Sequence, residues 1–160
     1  MNKYVASEKL TKLHQTRQFD CSSQELNEYL VKYAYQNQEK NISKTFVVTK
    51  NKIVVGYYTL TFGAVLKEHL PVRQNLPNYP IPVIILARLA VDNKEKGKGL
   101  GKALLKTAIL KTLQACEIAG VKATMVRAKD ENAKAFYKKY SFIESPIDDL
   151  TLFLPIEALK

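Results

Sequence analysis

Apolar residues at Leu26, Leu30, Tyr33 and Ala34 recur at three- and four-residue steps, which predicts a helix from Leu26 to about Gln38 with one buried side. Ahead of it, Ser22-Ser23-Gln24-Glu25 has the S-x-x-E form of a capping box. The pattern then changes to Val, Ile, Tyr, Phe and Thr over Thr45–Thr49 and Ile53–Val65. With Lys50-Asn51-Lys52 as the turn, these two runs predict an antiparallel hairpin.

Four prolines between Leu70 and Pro82 mark a loop. Val83–Val91 is a nearly continuous apolar run broken only by Arg88, as in a central strand covered on both faces. Leu100–Ala119 predicts a long helix closed by Gly120 as a C′ residue. Its apolar face carries Leu104, Leu105, Ala108, Ile109, Ala115, Cys116 and Ala119, with Lys102, Lys106, Gln114 and Glu117 opposite. A strand over Val121–Ala128 follows, then a short helix from an Asp130 N-cap through Tyr140. Phe142-Ile143 and Leu150–Leu154 supply the last strands. The expected architecture is α/β: one domain over residues 1–160, with a central mixed sheet and helices on both faces.

The chain of 160 residues is long enough to close a core, and no repeat or linker interrupts it. It lacks an apolar run near the ~20 residues of a membrane span, and Met1–Leu10 lacks the apolar region of a secretory signal. A cytoplasmic protein without a membrane partner is expected. Cys21 and Cys116 are far apart, as are His14 and His69, and no metal-ligand spacing occurs, so no metal is expected. Charge adds a direction. The excess of 25 Lys and Arg over 15 Asp and Glu, net +10, suits a polyanionic partner as well as a merely solvated surface.

The segment richest in chemical content is Lys96-Gly97-Lys98-Gly99-Leu100-Gly101, between a buried strand and a long helix. Glycines let the backbone turn tightly, and free amides with the helix dipole make an anion site suited to a pyrophosphate. The nucleotide P-loop is excluded, because Ala103 follows Gly101-Lys102 and Lys96 stands five before Gly101. The dinucleotide pattern G-x-G-x-x-G fails as well, with Lys102 or Leu104 in its third glycine position.

What remains resembles motif A of the GNAT acetyltransferases, [QR]-x-x-G-x-[GA], with Lys96 where glutamine or arginine is usual. Ala133-Lys134-Ala135-Phe136-Tyr137-Lys138-Lys139-Tyr140-Ser141-Phe142 likewise resembles that family's A-x-x-F-Y-x-x-x-G-F segment, with Ser141 in place of glycine. The resemblance implies acetyl-coenzyme A as cofactor and the acyl-CoA N-acyltransferase fold. By the same resemblance, backbone amides of Leu89, Ala90 and Val91 bind the pantetheine arm and the carbonyl. Lys96, Gly97, Lys98, Gly99, Leu100, Gly101 and Lys102 hold the phosphates, chiefly through the amides of the turn. Asn132 and Phe136 complete the coenzyme contacts it implies. Tyr137 is then the catalytic general acid to the coenzyme thiolate, although it is one of nine tyrosines and Tyr140 lies close by.

Three further strings, Ile81-Pro82-Val83-Ile84-Ile85-Leu86-Ala87-Arg88-Leu89-Ala90-Val91-Asp92, Leu113–Val121 and Leu152-Phe153-Leu154, resemble the GNAT toxins of type II toxin–antitoxin systems. That resemblance implies acetylation of the α-amino group of aminoacyl-tRNA and arrest of translation. It also implies a ribbon-helix-helix antitoxin, operator DNA bound only through that antitoxin, and a homodimer. An aminoacyl α-amine with a pKa near ~8 is partly neutral at pH 7, so few catalytic carboxylates are needed; only Asp92 and Glu95 lie near the turn. Arg73, Arg127, Lys129, Lys134 and Lys138 are candidates for a tRNA phosphate rim, with Tyr79 beside it, and Arg88 is expected to face the acceptor or pair with a carboxylate. Two alternatives stay open: acetylation of a small amine, peptide or ribosomal-protein terminus, and a basic RNA-binding module without catalysis.

Overall fold

The computed structural model describes residues 4–159. Seven strands form a mixed sheet in the order β1-β2-β3-β4-β5-β7-β6. They are β1 (Tyr4–Lys9), β2 (Lys44–Lys50), β3 (Ile53–Val65), β4 (Ile81–Val91), β5 (Ala123–Arg127), β6 (Ile143–Ser145) and β7 (Asp148–Pro155). The helices are α1 (Gln24–Glu28), α2 (Ala34–Glu39), α3 (Leu100–Cys116) and α4 (Glu131–Lys139), with a π-turn over Tyr29–Tyr33. The expected α/β class with a mixed sheet is what forms. No helix among the described residues is long and apolar enough to cross a membrane.

The chain packs as two compact units, Met1–Thr61 with Ala87–Ala108, and Phe62–Leu86 with Ile109–Lys160. In the first, β2 and β3 pair antiparallel around Asn51 and Lys52, whose φ values of 54° and 67° give the primed turn that suits the twist of a two-residue hairpin. One face of β3 meets the helical segment: Tyr57 is fully buried and donates to the Leu26 carbonyl at 2.6 Å, with Phe19 edge-on at 5.4 Å. The opposite face meets α3 at Gly56, where a Cβ would lie 2.9 Å from Leu104 Cδ1 and 3.2 Å from Leu100 Cδ2. In the second unit, Leu70, Ile81, Val83, Ala123 and Phe153 form the core. There β4 and β5 pair in parallel from Val83 to Leu86, and Ala87–Val91 continue beyond that register.

Several boundaries differ from the sequence expectation. Strand β1 was not anticipated, because its mostly exposed residues leave no apolar alternation at the sheet edge. The cap of α1 is Ser23, whose hydroxyl accepts from Leu26 N at 3.3 Å; Ser22 instead takes φ 72° and donates to Asn93 Oδ1. The single helix to Gln38 is interrupted by the π-turn, which buries Tyr29 (6% exposed) and leaves Tyr33 at 47%. The added residue shifts the helical phase, so the 3.6-residue pattern chose the wrong tyrosine. Strand β4 starts at Ile81 and includes Pro82, which is tolerated near a strand start because only its carbonyl is used, accepting from Lys122 N at 2.9 Å. Helix α3 stops at Cys116, where Glu117 and Ile118 bond back three residues and tighten the end. Gly120 is therefore not a left-handed C′ residue, and Ala119 is exposed.

Gly56→Ala is expected to cost about 1–3 kcal/mol in urea unfolding, because the buried Leu100 and Leu104 side chains must shift to admit the added methyl.

Candidate active site

Past Val91 the chain turns on Asp92, whose carboxylate accepts from Lys94 N at 2.9 Å and from Asp20 N at 3.0 Å. A single 3-10 turn, Asn93–Glu95, leads to Lys96, which is extended and donates its ammonium to the Cys21 carbonyl at 3.0 Å. Lys96 thus ties the turn to the loop before α1, a role that its motif position does not disclose. Gly97 and Gly99 follow at φ 80° and 81°, and nothing lies within 4 Å of where their Cβ atoms would be. Glycine is required there for its backbone conformation, not for want of room. Gly99 O accepts the first helical bond, from Ala103 N at 3.1 Å, so the amides of the opening turn of α3 have no intrahelical partner. Exposed Lys98 and Lys102 flank them. Open amides, a helix N-terminus and surrounding cations together fit a diphosphate.

The two carboxylates beside this turn are already engaged. Asp92 caps, and Glu95 accepts from Tyr4, Lys50 and Lys98, with the Tyr4 hydroxyl as the main cause of its lowered pKa. Neither is free to act as a base. Leu89 and Val91 are half-buried and Ala90 is buried. Among the described residues Arg88 pairs with no carboxylate: its guanidinium lies over the Tyr29 ring, 3.6 Å from the centroid. A planar cation on an aromatic face is the partner that a half-buried arginine needs. Tyr29 is itself held by a 3.1 Å hydrogen bond between its hydroxyl and Ser43 Oγ.

In the other unit, Asp130 caps α4 by accepting from Ala133 N at 2.8 Å, as expected. The helix ends in a Schellman motif, with Phe142 N bonded to Tyr137 O at 3.2 Å and Ser141 N to Lys138 O at 3.1 Å. The hydrophobic contact of that motif is Phe142 against Tyr137, ring centroids 5.5 Å apart. Phe136 closes on Tyr137 from a second direction at 5.3 Å and on Tyr140 at 5.1 Å. Burial pushes the Tyr137 phenol up to about 12, whereas Tyr140 is only half-buried. Asn132 is exposed on the first turn of α4. Ser141, at φ 75°, occupies the left-handed position that explains the glycine usual there.

The proposed basic rim is only partly free. Lys134 and Lys138 both bind Glu144, at 3.2 and 3.0 Å, and Arg127 binds Asp148 at 2.9 Å. Arg73, Lys129 and Tyr79 are exposed. The sequence reading missed Glu144 and Asp148 as partners, because these pairs join α4 and β5 to residues of β6 and β7. It missed Tyr29 because its face assignment assumed an unbroken helix.

The acetyltransferase (GNAT) domain model matches residues 41–144. The chain belongs to the GNAT acetyltransferase family. It is 40% identical over 156 residues to the tRNA-acetylating toxin of Mycobacterium tuberculosis, spanning 96% of this chain and 93% of that protein. Among solved structures, AtaT complexed with acetyl-methionyl-tRNAfMet superposes with a TM-score of 0.91 at 27% identity, covering 98% of this chain and 97% of that one. A tyrosine-to-phenylalanine variant of AtaT, bound to the C-terminus of the antitoxin AtaR and acetyl-CoA, matches with a TM-score of 0.83 at 26% identity, over 98% and 96% of the two chains. This GNAT protein is an acetyltransferase, and its acetyl donor is acetyl-CoA.

Ser141→Gly relieves the left-handed strain at the end of α4 and is expected to raise stability by about 1 kcal/mol in urea unfolding. Ser141→Val at the same site should lower it.

Proposed function

We propose that the chain, working as one domain over residues 1–160, is a toxin that acetylates the α-amino group of aminoacyl-tRNA and so blocks translation. The observation that carries this reading is 40% identity, over 96% of the chain, to a tRNA-acetylating toxin. Bound acetyl-CoA supplies an activated acetyl thioester. Its diphosphate is held by amides of Gly97, Lys98, Gly99, Leu100 and Gly101, with the Lys96 and Lys102 ammonium groups adding charge. Backbone groups of Leu89, Ala90 and Val91 hold the arm, and Asn132 and Phe136 serve as further contacts.

Tyr137 holds a proton on its phenolic oxygen and gives it to the departing sulfur. Burial keeps that phenol protonated throughout the physiological range, which suits an acid and not a base. The acceptor α-amine, with a pKa near ~8, becomes nucleophilic by losing its own proton, so the engagement of Asp92 and Glu95 elsewhere is no obstacle.

Arg73 and Lys129, both exposed, lead the tRNA contacts. Arg127, Lys134 and Lys138 contribute to the extent that phosphates displace Asp148 and Glu144. Arg88, fixed on Tyr29, serves the acceptor end. The partner is a ribbon-helix-helix antitoxin, through which alone the toxin meets operator DNA; the toxin itself is a cytoplasmic homodimer. Solved relatives that support this pairing include an AtaT–AtaR complex bound to DNA.

Labelled acetyl-CoA is expected to acetylate charged tRNA and not deacylated tRNA, with Tyr137→Phe lowering kcat by ~10²–10⁴-fold. Label on small amines or protein termini alone would replace the acceptor. The pH profile follows from the same chemistry. The protonated phenol is the active form, so its limb would fall only as pH passes about 12. Wild-type kcat/KM should therefore rise as the acceptor amine deprotonates near ~8 and show no fall before pH ~10.

A further inference from the structure

Glu95 is a carboxylate only 5% exposed, directly before the glycine turn, and the acetyl-transfer chemistry gives it no task. A buried carboxylate is costly unless donors surround it. Its donors come from three separate segments. The Tyr4 hydroxyl of β1 bonds to Oε1, Lys50 at the end of β2 approaches Oε2 at 3.4 Å, and Lys98 approaches Oε1 at 3.4 Å. Lys50 also lies 5.6 Å over the Tyr4 ring, which closes the group on itself.

Lys98 is the residue between the two glycines at φ 80° and 81°. A Gly-Lys-Gly segment has more backbone freedom than any other in the turn, and ordering it opposes ligand binding. We propose that Glu95 is a positioning residue for the coenzyme: anchored to β1 and β2, it holds Lys98 and so pre-orders the amides that receive the diphosphate. This rests on the reading that the turn is the diphosphate site. The pin leaves the Lys98 side chain half exposed, with its ammonium still able to face an anion.

Coenzyme A binding to the full-length protein, measured by calorimetry alongside thermal unfolding, tests this. Glu95→Gln keeps the shape and the Tyr4 contact but removes the charge that holds Lys98. It should weaken coenzyme A binding about tenfold, while kcat at saturating acetyl-CoA stays within about twofold of wild type. The acting-through test is a double-mutant cycle, in which Glu95→Gln should add nothing once Lys98 is Met. Unchanged affinity in Glu95→Gln, an equal loss in both backgrounds, or a fall in kcat alone would overturn the proposal. Should Glu95→Gln unfold, Tyr4→Phe on the exposed edge strand takes its place. That variant loosens the anchor and should weaken binding about threefold; no change would again overturn the idea. Gly99→Ala separates the two readings. If it leaves affinity intact, the turn is not the diphosphate site; if it weakens binding and Glu95→Gln does not, only the positioning role falls.

Discussion

Helix α3 can lie against β3 only because residue 56 has no side chain. Methyls of Leu104 and Leu100 come within 2.9 and 3.2 Å of where its Cβ would be, and the Ala90 carbonyl is 3.6 Å from the same point. That one approach fixes the first turn of α3, and with it the direction in which the free amides of the glycine turn point. Everything between Val91 and Leu100 then has to fit a set distance. Asp92, the 3-10 turn and the two left-handed glycines are how eight residues make that reversal.

The electrostatics of the turn are more constrained than its basic composition suggests. Lys96, Lys98 and Lys50 are each directed at an oxygen, a carbonyl for the first and the Glu95 carboxylate for the other two. Charge here serves geometry before it serves ligand attraction. The same holds around Tyr137, where Lys134 and Lys138 converge on Glu144. A net charge of +10 therefore overstates the cationic surface available to a nucleic acid.

Much of the frame was legible in the sequence because local rules and tertiary packing agree. The hairpin at Asn51-Lys52, the Asp130 cap and the strand–turn–helix around Gly97 and Gly99 each carry their own short-range signal. Two of the mismatches share a cause: their determinants are distant in sequence. Strand β1 is defined by pairing to β2, and the engagement of Glu95 by residues 91 and 45 positions away. Ser141 was visible as a departure from the motif, but its φ of 75° and its place in the Schellman turn against Tyr137 were not.

The π-turn at Tyr29–Tyr33 has an evolutionary consequence. It amounts to one residue inserted into a helix, and a single-residue deletion within it would restore regular winding. Such a deletion would rotate everything before it by about 100° relative to α2. The Tyr29 ring would swing from beneath Arg88, and Ser43 would lose its phenol. Length in this segment thus matters as much as the identity of Tyr29: a chain that keeps the arginine stack must keep the extra residue, whereas one that loses it must find the guanidinium another partner.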